Sequence, residues 1–212
     1  MTPNNAQTGA QTGAQTGALT GGFAEAPIEA ARAFRCLLEA LARPGTIHML
    51  DAAQPPLPVS PAAGTVLLTL ADTTTPVFLA GAADCAAMRG WITFHTGAPV
   101  LTAESLEAGA DTASIRFALG RLEDLKPFME QFSIGDPDYP DRSATLVLEV
   151  ERLAAEGCRL TGPGIADEAL LNLPDPELFR QNHALFPLGL DFFLTAGRQI
   201  AGLPRTTIVE AC

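Results

Sequence analysis

From Phe23 onward, apolar residues recur in runs bounded by turn-forming residues, and each run carries its own period. Ala30, Phe34, Leu37, Leu38 and Leu41 repeat at helical spacing and predict a helix with one apolar stripe. Pro27 suits its first turn, and Glu25 and Glu29 sit near the positive end of its dipole. Arg43-Pro44-Gly45 predicts its end, because the residue before a proline is pushed out of the helical region. Thr46 to Leu50 follows as a short strand, and residues 53–63, rich in alanine and proline, read as a loop. Thr65-Val66-Leu67-Leu68-Thr69-Leu70 has no polar alternation and predicts a strand covered on both faces. Val77-Phe78-Leu79-Ala80 predicts a second such strand after the turn at Asp72 to Pro76. A helix is expected from about Ala83 to Thr96, with Asp84 as its N-cap and Gly97 as its stop. Its apolar face is Met88, Trp91, Ile92 and His95.

Ser114 to Leu119, Ala144 to Val150 and Cys158 to Thr161 read as strands. Leu125, Phe128, Met129 and Phe132 mark a short helix, Ser133 to Ser143 a loop, and Pro174 to Ala184 a further helix. Phe186 to Thr207 holds two apolar runs around Ala196-Gly197-Arg198, a hairpin pattern. Phe192 and Leu194 fall on one face of its first strand and Phe193 on the other, so both faces are expected to be buried. The rhythm predicts an α/β fold, a mixed β-sheet covered by helices, without the regular alternation of a doubly wound sheet.

Residues 7–18 are three copies of Gln-Thr-Gly-Ala, too short a period for a solenoid and too polar for a core. Residues 1–22 are therefore expected to be a disordered tail and 23–212 one domain. The net charge is -11, and residues 1–24 carry no charged side chain, so the acidity belongs to the folded part. Such a surface repels nucleic acid and anionic membrane. No run reaches the ~18 apolar residues of a membrane span, and no basic or apolar leader segment precedes the domain. Cys36, Cys85, Cys158 and Cys212 are scattered through apolar context, which predicts reduced thiols in a cytoplasmic protein.

The chemistry is defined first by what is missing. There is no glycine-rich phosphate loop, no nucleophile elbow and no metal spacing around His48, His95 or His183, so no cofactor or metal is expected. The single lysine, Lys126, lies in a helix start expected to face solvent, a poor place for a pyridoxal Schiff base. Four loops remain as candidates: the Arg43 corner, Gly135 to Ser143 with Tyr139 and Arg142, Gly162-Pro163-Gly164-Ile165, and Arg205-Thr206-Thr207. Arginine beside hydroxyls suits a phosphate or phosphonate, and pairing of Arg205 with a carboxylate is the competing reading.

Taken together, Phe34-Arg35-x-Leu37-Leu38, Ala42-Arg43-Pro44-Gly45-Thr46-Ile47, Phe94 to Pro99, Gly135 to Thr145, Gly162 to Ile165, Phe186-Pro187-Leu188-Gly189-x-Asp191 and Leu203 to Thr207 resemble the PhnH family. That family is a subunit of the bacterial carbon–phosphorus lyase system for phosphonate breakdown. The resemblance implies a fold similar to pyridoxal-phosphate-dependent transferases without the cofactor site. It also implies a homodimer that joins other core subunits in making ribose 1-phosphonate 5-triphosphate from ATP and phosphonate. It carries over no catalytic residue, and the chain alone has no catalytic constellation. Arg43, Tyr139, Arg142, Arg205, Thr206 and Thr207 are the expected interface or ligand residues, toward a partner, a phosphonate or a nucleotide. A free-standing enzyme or binding protein for a small phosphorylated ligand is the alternative.

Overall fold

The computed structural model describes residues 20–210 and 212. The Gln-Thr-Gly-Ala repeats lie outside the described residues. Among the described residues, contacts of the fold reach back to Thr20, ahead of Phe23: the Thr20 carbonyl accepts the Trp91 indole N–H at 2.9 Å, and Gly21 O accepts Gln54 N–H at 2.8 Å.

Seven strands form the main sheet: β1 (His48–Met49), β2 (Val77–Leu79), β3 (Val100–Leu101), β4 (Phe117–Gly120), β5 (Thr145–Glu149), β8 (Asp191–Ala196) and β9 (Gln199–Leu203), in the order β1-β9-β8-β5-β4-β2-β3. The five from β3 to β8 are parallel, and β9 and β1 continue the sheet through antiparallel pairs. The sheet is mixed, as expected. A second sheet of β6 (Cys158–Thr161), β7 (Ala169–Leu171) and β10 (Ile208–Val209) has the order β10-β6-β7.

Helices α1 (Ala26–Ala42), α2 (Pro61–Leu70) and α3 (Ala86–Thr96) cover one face of the main sheet; α4 (Ala103–Glu107) follows β3. The other face is covered by α5 (Leu122–Leu125), the 3-10 segment Lys126–Gln131, α6 (Pro176–His183) and the small sheet. The hairpin serves both cores: Phe193 packs into the first, and Phe192 and Leu194 into the second. Gly197, with φ at 59°, makes its turn.

Two of the elements that the pattern assigns depart from it, one for a local reason and one because of a distant contact. The run Thr65 to Leu70 is the second half of helix α2. Ser60 caps it by accepting Ala63 N–H at 3.2 Å, and Pro61 pre-sets its first turn. Its residues 62–67 are all buried, so its apolar surface runs all round and no period distinguishes it from a buried strand. The Thr65 and Thr69 hydroxyls return to the Pro61 and Thr65 carbonyls at 2.7 and 2.6 Å, which lets them lie in the core.

Helix α1 forms where expected but is rotated. It buries Ala33, Leu37 and Ala40 and leaves Phe34 and Leu38 47% and 51% exposed. The cause lies in β9: a Cβ on Gly202 would stand 2.5 Å from the Ala40 carbonyl oxygen. Strand and helix backbones meet there, so the face of α1 with the small side chains must point inward.

Cys158 and Cys212 form a disulfide across 54 residues, which corrects the expectation of four reduced thiols; Cys36 and Cys85 are free. Spacing alone cannot disclose such a pair, because β10 carries the C-terminal segment back beside β6. Arg180 holds that segment by donating to the Val209 and Glu210 carbonyls at 3.0 and 2.6 Å. Thiol titration of the denatured, unreduced protein should give two reactive groups and, after reduction, four. Four before reduction would contradict the pairing.

Glu149 ends β5 and ties three elements together. Its carboxylate accepts Ser60 N–H at 2.7 Å and the Thr195 hydroxyl at 3.3 Å. Burial raises its pKa, and the hydrogen bonds from Ser60 and Thr195 only partly oppose that. A carboxyl whose pKa is raised on folding contributes stability below its unfolded pKa and loses it as pH rises through the folded value. Glu149→Gln keeps the acceptor for Ser60, and its NH₂ can donate to Thr195 Oγ1, which itself donates to Leu148 O at 3.2 Å. The variant should therefore melt a few degrees higher than wild type at about pH 7.5, with the gap closing toward about pH 4. A gap that does not vary with pH would show that Glu149 does not titrate in the folded chain.

Candidate functional site

The loops singled out in the sequence line one edge of the main sheet, at the amino ends of its parallel strands. Arg205, just beyond β9, is the hub. Its backbone N–H and Nε both donate to Asp191 Oδ1, at 2.9 and 3.1 Å, and Nη2 donates to Asp191 Oδ2 at 2.6 Å. Nη1 donates to the Pro140 carbonyl at 2.7 Å, and Nη2 also to Ser143 Oγ. Four of the five guanidinium N–H groups are engaged within the chain. The side chain is 10% exposed and that of Asp191 24%. Arg205 thereby joins the Gly135 to Ser143 loop to the start of β8 and the exit of β9.

The loop it holds is stiff for local reasons. Asp136 Oδ1 accepts the N–H groups of Asp138 and Tyr139 at 3.0 and 2.9 Å, an Asx turn. Gly135, with φ at 82°, lies against Pro140, where a Cβ would meet the Pro140 carbonyl oxygen at 2.5 Å. The Arg142 carbonyl accepts from Ser133 Oγ at 3.1 Å and from Arg116. Its guanidinium lies 3.9 Å from the centre of the Tyr139 ring, a cation–π stack. Among the described residues it makes no ion pair, and Tyr139 is 50% exposed.

On the other side of Arg205 the chain of contacts continues. A Cβ on Gly162 would stand 3.0 Å from Thr206 O, and one on Gly164 would stand 1.9 Å from Ala42 O. The Gly162 to Gly164 turn is thus wedged between Thr206 and the end of α1. Arg43 follows that helix, exposed and paired with Glu39 at 3.4 Å. Thr207 is buried with no partner for its hydroxyl among the described residues, beside a void too small for a water. Of the six candidate residues, Arg205, Thr206 and Thr207 are in one backbone turn, and Tyr139 and Arg142 belong to the loop Arg205 anchors. The Arg43 side chain points away, toward Glu39.

Two residues outside the candidate set complete the edge. Buried Asn182 brackets Leu190, donating to its carbonyl at 2.9 Å and accepting its N–H at 2.7 Å. His183 Nδ1 lies 2.9 Å from the Arg205 carbonyl. Asp191 could have been sought as an acid within a quoted motif; nothing in the pattern marks Asn182. Lys126 is 60% exposed and paired with Asp175 at 2.9 Å, and that hydrogen bond is the main cause holding the Asp175 carboxyl below its ordinary pKa.

Residues 21–210 match the family model described as bacterial phosphonate metabolism protein (PhnH). The chain is 41% identical over 195 residues to the alpha-D-ribose 1-methylphosphonate 5-triphosphate synthase subunit PhnH of Rhizobium meliloti (strain 1021), covering 89% of this chain and 94% of that protein. It is 33% identical over 209 residues to a Stutzerimonas stutzeri protein provisionally named C-P lyase subunit protein HtxG, covering 89% of this chain and 95% of the relative. With its loop signatures gathered along one sheet edge and its length matched nearly end to end, the chain belongs to the PhnH family of bacterial phosphonate metabolism proteins.

Proposed function

We propose that this chain is a non-autonomous subunit of the carbon–phosphorus lyase core, supporting formation of ribose 1-phosphonate 5-triphosphate from ATP and phosphonate. The observation that carries the reading is the 41% identity across 94% of a subunit of that synthase. The chain works in the cytoplasm as a homodimer joined to other core subunits. Among the described residues no helix is long and apolar enough to cross a membrane. The likeness to pyridoxal-phosphate-dependent transferases rests on the family resemblance alone, and the exposed Lys126, paired with Asp175, fits work without that cofactor.

The residues divide by role. Tyr139 and Arg142 form an exposed, rigid knob that meets a partner subunit or an anionic substrate at the interface. Arg205 holds that knob in place, with Thr206 and Thr207 in the same turn, and Arg43 flanks it. Arg142→Glu reverses the charge of an exposed side chain whose contribution to the fold is one cation–π contact. It should abolish growth on methylphosphonate as sole phosphorus source in a strain lacking its own subunit, while the thermal midpoint stays within about 2 °C of wild type. Normal growth would remove Arg142 from the interface; failure of the wild-type chain to restore growth would remove the subunit reading itself.

A further inference from the structure

The opposite edge of the sheet, at the carboxyl ends of the parallel strands, holds a crevice that the family signatures do not touch. Its origin is topological. After β2 the chain turns through the 3-10 segment Gly81–Ala83 into α3, on the first face. After β4 it enters α5, on the second face, with Leu122 and Leu125 in that core. Neighbouring strands β2 and β4 thus send their connections to opposite sides, and a crevice opens beyond their carboxyl ends. In parallel α/β sheets this switch point is where ligands bind. The crevice here has a volume of about 280 Å³. Pro58, Val59, Ala82 and Ala83 supply its apolar lining, and Arg121, Asp124, Glu149 and Glu151 its charged lining.

The charged groups are preorganised and predominantly acidic. Glu149 is held from behind by Ser60 N–H and the Thr195 hydroxyl. Asp124 lies against Gly81, where a Cβ would stand 2.0 Å from its Oδ2, so the missing side chain makes room for the carboxylate. The one cation of the lining, Arg121, is already shared between Glu123 and Glu151 at 3.2 and 3.5 Å. Asp124 and Glu149 have no cationic partner among the described residues. A phosphonate or nucleotide would meet uncompensated carboxylates here.

We propose that this switch-point crevice binds a small organic cation, an ammonium group on a short aliphatic body. The carboxylates take the ammonium by charge-assisted hydrogen bonds, and the apolar lining takes the methylene chain. The inference is independent of the opposite edge and of the phosphonate reading.

The test uses the full chain, labelled with nitrogen-15, at low salt. Putrescine should shift the amides of Ala82, Gly120 and Val150 saturably, and 1,4-butanediol, its neutral counterpart, should not. The double variant D124N/E149Q should bind putrescine at least about tenfold more weakly, the equivalent of losing one charge-assisted contact. Ala82→Leu, which fills the crevice from the apolar lining, should abolish binding with both carboxylates intact. Four results would overturn the proposal: no saturable shift up to about 10 mM putrescine, equal shifts with butanediol, unchanged affinity in either variant, or unsaturable shifts spread over the acidic surface, which mean counter-ion attraction only.

Discussion

Replacing Arg205 by alanine should destabilise the protein by about 3–5 kcal/mol, the cost of leaving a buried partner charge uncompensated. For a domain of this size that is roughly 10 °C in the melting midpoint. The expectation follows from where the guanidinium is spent. Asp191 receives three of its hydrogen bonds counting the backbone N–H, and Pro140 and Ser143 receive the others. Removing Arg205 strands a carboxylate that is only 24% exposed and releases the loop carrying Tyr139 and Arg142. Phosphonate growth should fail through that loss of order. Urea unfolding of Arg205→Ala, Asp191→Ala and the double variant tests it. The double variant should be more stable than the sum of the two losses implies, by about 1–3 kcal/mol. Strict additivity, or an Arg205→Ala protein as stable as wild type, would free Arg205 for ligand binding and undo its role as a cross-link.

The second large effect is expected at Gly164. Its φ is 84°, a conformation that costs an L-residue about 1–2 kcal/mol. An added Cβ would also meet the Ala42 carbonyl oxygen at 1.9 Å, a backbone atom that cannot swing aside. Overpacking of that kind adds about 1–3 kcal/mol, so Gly164→Ala should lose roughly 3 kcal/mol in urea unfolding. It should also displace the Arg43 corner, visible as shifted amide resonances at Arg43 and Gly45. Gly197→Ala is the matched control: its φ of 59° carries the same kind of dihedral cost, and nothing lies within 4 Å of an added Cβ. Equal behaviour of the two variants would mean that Gly164 is needed only for its dihedral and not for close approach to α1.

How much could be read from the sequence depended on whether the deciding contact was local. The β8–β9 hairpin was legible because alternation alone assigns Phe192 and Leu194 to one core and Phe193 to the other. The end of helix α3 was legible, since Gly97 at φ 72° is the left-handed stop its position predicts; its start was not, because Gly81–Ala83 forms a separate 3-10 turn and the helix opens at Ala86 behind Cys85 rather than behind Asp84. Helix α2 was not, because a helix buried all round and a strand buried on both faces write the same apolar run. The rotation of α1 is set by Gly202, 162 residues beyond Ala40, and the Cys158–Cys212 pair by the return of β10. At the candidate site the motifs identified the family, but the geometry reversed the emphasis among them. Arg205, an anion ligand by chemistry, is occupied inside the fold, and Arg142, over Tyr139, is an exposed cation of that edge that makes no ion pair among the described residues.

The central claim is that this chain acts only as part of a larger assembly, and co-purification with simultaneous assay tests it most directly. The affinity-tagged chain is expressed alone and together with the other carbon–phosphorus lyase core subunits, then resolved by size-exclusion chromatography. Each fraction is assayed for adenine release from ATP and methylphosphonate. The account predicts co-elution in a large complex, loss of that co-elution in Arg142→Glu, and no adenine release by the chain alone. Adenine release by the isolated chain, or its elution apart from co-expressed subunits, would contradict it.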